Sequence, residues 1–256
     1  SSSRSLPQGG VSRTHQEWRN FYAFAALKED GSVITWGGAG GDSSSVSAEL
    51  QSGVSQIFSS ATAFAALKED GSVITWGGSR YEVVSSSVSA ELSSGVSQIF
   101  PTGNAFAALK DDGSVITWGG SDWGGDSRSV SDQLSSGVSQ IFSTAYSFAA
   151  LKDDGSVITW GNSSYGGDSS SVSNDLQSGV TQIFSTRTAF AAVKDDGSVI
   201  TWGNSDYWND SSSVSDQLSS GVSQIFSTGS TFAALKDDGS VITWGNSSFG
   251  GDSSSV

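Results

Sequence analysis

The stretch FAALKEDGSVITWGG, Phe24 to Gly38, decides the fold, because the chain writes it six times. It returns with few changes from Phe64, Phe106, Phe148, Phe190 and Phe232, at spacings of 40, 42, 42, 42 and 42 residues. The period divides the chain into units 1–42, 43–84, 85–126, 127–168, 169–210 and 211–252, followed by 253–256. Repeats of this size build solenoids, propellers or arrays, in which stacked units bury a core that no unit could form alone. The whole chain, 1–256, therefore reads as one domain.

Unit 211–252 shows what each repeat folds into. Three short runs, Val222 to Phe226, Phe232 to Lys236 and Ser240 to Trp244, are rich in β-branched and aromatic residues and stop at Gly, Ser or Asp. A weaker fourth strand is expected around Ser211 to Leu218. Apolar runs of this length are too short for stable helices. Asp238-Gly239 predicts a two-residue hairpin turn with positive φ at both positions.

Each run is apolar on both sides, since Phe and the second Ala of Phe-Ala-Ala-Leu point one way and the first Ala and Leu the other. A sheet with one wet face would alternate. Two apolar faces imply a sheet sandwiched between neighbours. The reading is an all-β, six-bladed β-propeller of 42-residue repeats, its ring closed between the termini by the N-terminal segment or by Ser253 to Val256. An open, curved array is the alternative. The repeated Trp36, Trp76, Trp118, Trp160, Trp202 and Trp244 are then expected in the core rather than in a binding ladder.

The runs DDGSVITWGNSSFGGD and LSSGVSQIFSTGSTFAALK resemble the repeat of the regulator of chromosome condensation family, and the likeness covers all six units. The resemblance implies a β-propeller with closure between the termini and a habit of binding proteins. The short period is most similar to the bacterial branch, which includes the propeller-type β-lactamase inhibitor that blocks its target with loops on one face. Six units depart from the seven blades of the best-known members. Nucleotide exchange on the GTPase Ran uses a wedge inserted in one blade, and no unit here carries such an insertion. The tryptophan-rich photoreceptor of the same fold uses surface tryptophans, a role at odds with a core position for the repeated Trp.

Composition excludes several classes of function. The formal net charge is −14 and no basic stripe exists, so nucleic acid and anionic bilayers are not expected partners. No long apolar run predicts membrane insertion. The chain has no Cys and no Met, which suits a secreted or cell-surface bacterial protein. His15 is the single histidine, too few bases for the serine runs to act as hydrolase nucleophiles. The Gly-Gly-Asp loops with Asp42, Asp126, Asp168 and Asp252 offer one carboxylate each, too few for a tight calcium site. No catalytic residue, metal or cofactor is predicted.

Two clusters vary between units. One is the pair before the x-Phe-Ala-Ala stretch: Phe21-Tyr22, Ala61-Thr62, Gly103-Asn104, Ala145-Tyr146, Arg187-Thr188 and Gly229-Ser230. The other follows Trp-Gly and carries Arg80 and Tyr81, Asp122 and Trp123, Tyr165, then Asp206, Tyr207 and Trp208, and finally Phe249. In an up-and-down meander, alternate connections emerge on one side, so both clusters are expected on one face and the Asp-Gly turns on the other. Candidate binding residues are Phe21, Tyr22, Arg80, Tyr81, Asn104, Asp122, Trp123, Tyr146, Tyr165, Arg187, Asp206, Tyr207, Trp208 and Phe249. Aromatic anchors among small polar groups suit recognition. The bland alternatives are loop drift, or rings that cover the blade ends. The first unit departs most, with Glu17 and Trp18 where Ile57 and Phe58 stand in the second. It is either an atypical terminal blade or a distinct contact site around His15, Trp18, Arg19, Phe21 and Tyr22. The expected function is non-enzymatic binding of a partner protein through the variable loops. A glycan-binding lectin and a purely structural array are the alternatives.

Overall fold

The computed structural model describes residues 19–78, 85–204 and 210–252. It is all-β with short 3-10 turns, and its six separate antiparallel sheets correspond to the six repeats. Blade 1 has two described strands, Ala23–Leu27 and Val33–Gly37. Blade 4 is representative of the rest, with an inner strand Val138–Ser143, a middle strand Ser147–Lys152 and an outer strand Val157–Gly161. Glu17 and Trp18 of the divergent first unit, and the expected closing segments at either terminus, lie outside the described residues.

The inner strands of blades 2 to 6 contact one another in order and line a concave surface. A cavity of about 460 Å³ there is lined by Gln140, Gln182 and Gln224 with Phe142, Thr181, Ile183, Phe184 and Ser223. A β-bulge makes this wall possible. In blade 4, Lys152 pairs with Val138 while Leu151 pairs with Gln140, so Ser139 is the extra residue. Its hydroxyl donates back to the Leu151 carbonyl at 3.1 Å. The bulge lets Val138 and Ile141 both point into the core although they are three residues apart, and turns Ser139 and Gln140 outward.

Hydrophobic burial lies between the blades. Ala63, Ala65, Leu67 and Val73 of blade 2 form one cluster with Val96, Ile99, Phe106, Ala108 and Trp118 of blade 3. Four more clusters of the same make-up join the other consecutive blades. Each sheet therefore has an Ala/Leu/Val face that receives the Phe/Ile/Trp face of the next. Alanine rows, fully buried in blades 3 to 5, leave room for the stacked Phe and Trp rings, whose centroids are 5.3 Å apart in blade 3. Trp76, Trp118, Trp160, Trp202 and Trp244 are buried, each worth on the order of 3 kcal/mol gross. Trp36 departs from the expectation at 49% exposure, because among the described residues no sheet covers its face of blade 1.

Two expectations are corrected. The run Ser211 to Leu218 is not a strand but two 3-10 turns, Ser212–Val214 and Gln217–Ser219. The Asp210 carboxylate accepts the Ser212 amide and starts the first turn, and buried Leu218 anchors the second. The hairpin at Asp238-Gly239 is a three-residue loop, because Leu235 pairs with Val241 and Lys236 donates its amide to the Ser240 carbonyl. Gly239 takes φ +84 after a turn closed by its own amide on the Lys236 carbonyl, the pattern of a type I turn with a glycine bulge.

Backbone hydrogen bonds tie the blades at both rims. The amide of Val138 donates to the Gly113 carbonyl in the acidic turn of the preceding blade, and Val54, Val96, Val180 and Val222 do likewise. At the other rim the amides of Phe21, Ala61, Gly103, Ala145 and Arg187 each donate to the equivalent carbonyl of the following blade, ending on Gly229.

Candidate functional site

That second ladder runs through the first variable cluster, so Phe21, Ala61, Gly103, Ala145, Arg187 and Gly229 stand in sequence along one rim. The second cluster is built beside it. After the outer strand of blade 3 the chain makes a 3-10 turn, Ser121–Trp123, and stops at Gly124 with φ +92. The Thr102 hydroxyl donates to the Trp123 carbonyl at 2.8 Å. In blade 4, Thr144 and Ser147 hold the Tyr165 carbonyl at 3.2 and 2.6 Å, and in blade 6 Thr231 holds that of Phe249 at 3.2 Å. In these three blades a hydroxyl at the start of the middle strand, or just before it, thus hangs the aromatic turn over the first cluster.

The consequence is a three-ring stack that spans two blades. Trp123 of blade 3 lies 4.6 Å from Tyr146 of blade 4, and Tyr146 lies 4.5 Å from Tyr165 of the same blade. All three are half-buried. Trp123 also covers Gly103, where an added Cβ would collide with the indole ring, and packs against the core between blades 3 and 4. Asp122 beside it is exposed, and Asn104 is half-buried with its side-chain oxygen enclosed and unpartnered among the described residues. Arg187 is exposed one blade further along, its carbonyl accepting the Ala145 amide.

The remaining candidates do not join this stack. Phe21 and Tyr22 form an edge-to-face pair at 6.3 Å on blade 1, both mostly exposed, where Asn20 accepts the amides of Tyr22 and Ala23 at 2.9 Å. Phe249 is 58% exposed on blade 6. Arg80, Tyr81, Asp206, Tyr207 and Trp208 lie outside the described residues, as do His15 and Trp18, while Arg19 is exposed. Sequence reasoning missed the hydroxyl hooks and the role of Gly103. For two of the hooks the signal was present, because Thr102 and Thr144 stand at a position just before the variable pair that is Ser or Thr in five units.

The acidic corners are self-contained. Asp30, Asp70, Asp112, Asp154, Asp196 and Asp238 are held below the ordinary carboxylate range, first by the hydroxyl and then by the amide of the serine two residues on. In the loops after the outer strands, Asp126 is lowered to about 2 by the Arg128 side chain, which donates at 2.6 Å. Asp42 and Asp168 are lowered by the amides of Ser44 and Ser170. Among the described residues no three His, Cys, Asp or Glu side chains gather as a metal would need, and no helix is long and apolar enough to cross a membrane.

No family model matches the chain, and no curated protein matches it. Solved structures do. The chain is similar to human WBSCR16 at 21% identity, over 75% of this chain and 61% of that one, with a TM-score of 0.44. It therefore spans about three fifths of that protein's length. It is also similar to Prp20p of Saccharomyces cerevisiae, a structure described with that protein's binding to Gsp1p and histones, at 17% identity over 89% and 70% of the two chains, TM-score 0.48. The ectodomain of the Arabidopsis thaliana receptor kinase ACR4 aligns at 15% identity over 87% and 76%, TM-score 0.48.

Proposed function

We propose that the protein is a non-enzymatic binding module that recognises a partner protein through the rim carrying both variable clusters. The observation that supports this reading is the stack of Trp123, Tyr146 and Tyr165, in which residues from two repeats meet at 4.5 to 4.6 Å. Aromatic side chains immobilised against one another lose little further freedom on binding, and small polar neighbours such as Asn104 and Asp122 supply directional contacts. The rigid frame beneath is shared by all units, so specificity resides in the positions that differ. A loop face that blocks or clasps a protein, as the resemblance to propeller-type inhibitors implies, is the mode this reading favours.

A lectin is the second reading. The stack weighs against it, since Tyr146 already contacts two rings and has less free face to offer a sugar. The test is affinity capture and glycan-array screening with the wild-type chain and a Tyr146→Ala/Tyr165→Ala variant. A protein captured by the wild type and lost from the folded variant supports the proposal. Sugar binding lost in that variant would transfer the site to glycans, and protein capture unchanged in the variant would remove the stack from recognition.

A further inference from the structure

The two ends of the array carry opposite halves of one junction. In the five internal junctions, Phe64, Phe106, Phe148, Phe190 and Phe232 are at most 4% exposed. Their equivalent on blade 1, Phe24, is 65% exposed, beside Ile34 at 50% and Trp36 at 49%. The Phe24 and Trp36 rings are nonetheless stacked at 5.3 Å, the same arrangement the buried pairs have. At the far end, Val241 is 57% exposed, whereas its equivalents Val115, Val157 and Val199 are at most 9% exposed.

The backbone agrees. A Cβ built on Gly31, Gly71, Gly113, Gly155 or Gly197 would meet the next blade's glycine amide within 2.9 Å, but one on Gly239 meets nothing within 4 Å. Gly124 and Gly166 lie against the phenylalanine of the following blade, and Gly250 lies against nothing. Among the described residues, the amide of Gly229 and the carbonyl of Gly239 lack the inter-blade bonds their equivalents make, and the carbonyl of Phe21 receives none.

We propose that the Phe24–Ile34–Trp36 face of one molecule docks on the Ala233–Leu235–Val241 face of a second copy, head to tail, as a sixth junction of the same kind. The occupant follows from complementarity. A face of this shape is covered five times in the structure, each time by an Ala/Leu/Val sheet, and among the described residues the one such sheet left open belongs to blade 6. Among the described residues both halves are exposed in the same molecule, so neither covers the other. Donors and acceptors match as well, with Gly229 N–H meeting Phe21 C=O. Such a contact is heterologous, and it grows into a chain of copies or closes into a larger ring according to the rotation between them.

The test is sedimentation of the wild type over a wide concentration range, with Trp36→Glu and Val241→Glu variants alone and mixed. The wild type should gain mass with concentration. Each variant, folded by circular dichroism, should remain a monomer, because one half is blocked. Their equimolar mixture should form a dimer and nothing larger, since each retains the half the other lacks. Ile34→Lys replaces Trp36→Glu if the latter does not fold. A wild type that is monomeric throughout, as closure of one chain on itself would make it, overturns the proposal. So does a mixture that stays monomeric, or a blocked variant that still associates.

Discussion

The indole Nε1 of Trp160 donates to the carbonyl of Gly124 at 3.0 Å, across the junction between blades 4 and 3. Trp202 makes the same bond to Gly166 at 3.2 Å. At these two junctions the tryptophan both fills the seam and anchors the loop of the preceding blade, whereas the indole N–H groups of Trp76, Trp118 and Trp244 are buried without a partner among the described residues. Trp160→Ala should cost about 3–5 kcal/mol in urea unfolding, from the lost ring and the cavity left behind. Trp36→Ala, on the uncovered face, should cost about 1 kcal/mol or less, as exposed substitutions do. Equal losses at the two sites would show that junction burial is not what the tryptophan provides.

Glycines separate backbone strain from crowding. Gly124 and Gly250 have φ values of +92 and +96, but a Cβ on Gly124 would lie 2.6 Å from the Phe148 ring while one on Gly250 meets nothing. Gly250→Ala should cost about 1–2 kcal/mol for the left-handed conformation alone. Gly124→Ala should cost a further amount of about 1–3 kcal/mol for the forced repacking. Thermal unfolding of the two variants side by side measures the difference, and similar midpoints would mean that Phe148 yields freely.

The Asp126–Arg128 pair sets a pH expectation. Asp126 is lowered to about 2, so its contribution is present above the unfolded carboxylate value of about 3.9 and fades as pH falls toward 2. Arg128→Ala removes the side-chain donor but keeps the residue-128 amide, which reaches Asp126 at 3.1 Å. The Asp126 carboxyl, followed by NMR titration, should then rise while staying below the ordinary value. The melting temperature near neutral pH should hardly move, because the pair is solvated. An unchanged Asp126 titration would assign its depression to the backbone alone.

Exchange should be graded along the array. Ser147–Lys152 in blade 4 is buried on both faces, whereas Phe24 and Leu27 of Ala23–Leu27 are open. Amides of the former should exchange with water far more slowly than those of the latter, since blades with one covered face open first. Uniform protection across the six blades would indicate a ring that opens as a single unit.

How far the sequence was legible follows from which forces act locally. Strand positions could be read because Val, Ile, Phe and Trp must be buried: Val222 to Phe226 is observed as Val222–Ser227, and Phe232 to Lys236 as Thr231–Lys236. Double-sided burial was legible from the alanines. The bulge at Ser139 was written only as a Val-x-x-Ile spacing that strict alternation cannot accommodate. The turn at Asp238-Gly239 was misjudged by one residue, because pairing of Lys236 with Ser240 is decided by register and not by the dipeptide. For the site, the aromatic residues could be named, but the meeting of Trp123 with Tyr146 depends on how one blade is set against the next.

Because every core is shared by two neighbours and none belongs to one sheet, removing a whole unit would recreate the seam it took away. Excising residues 127–168 brings the Ala105/Ala107/Leu109 side of blade 3 to the Phe190/Trp202 side of blade 5, the same chemistry that met before. Length in this architecture is free to change in steps of one period with no buried residue rewritten.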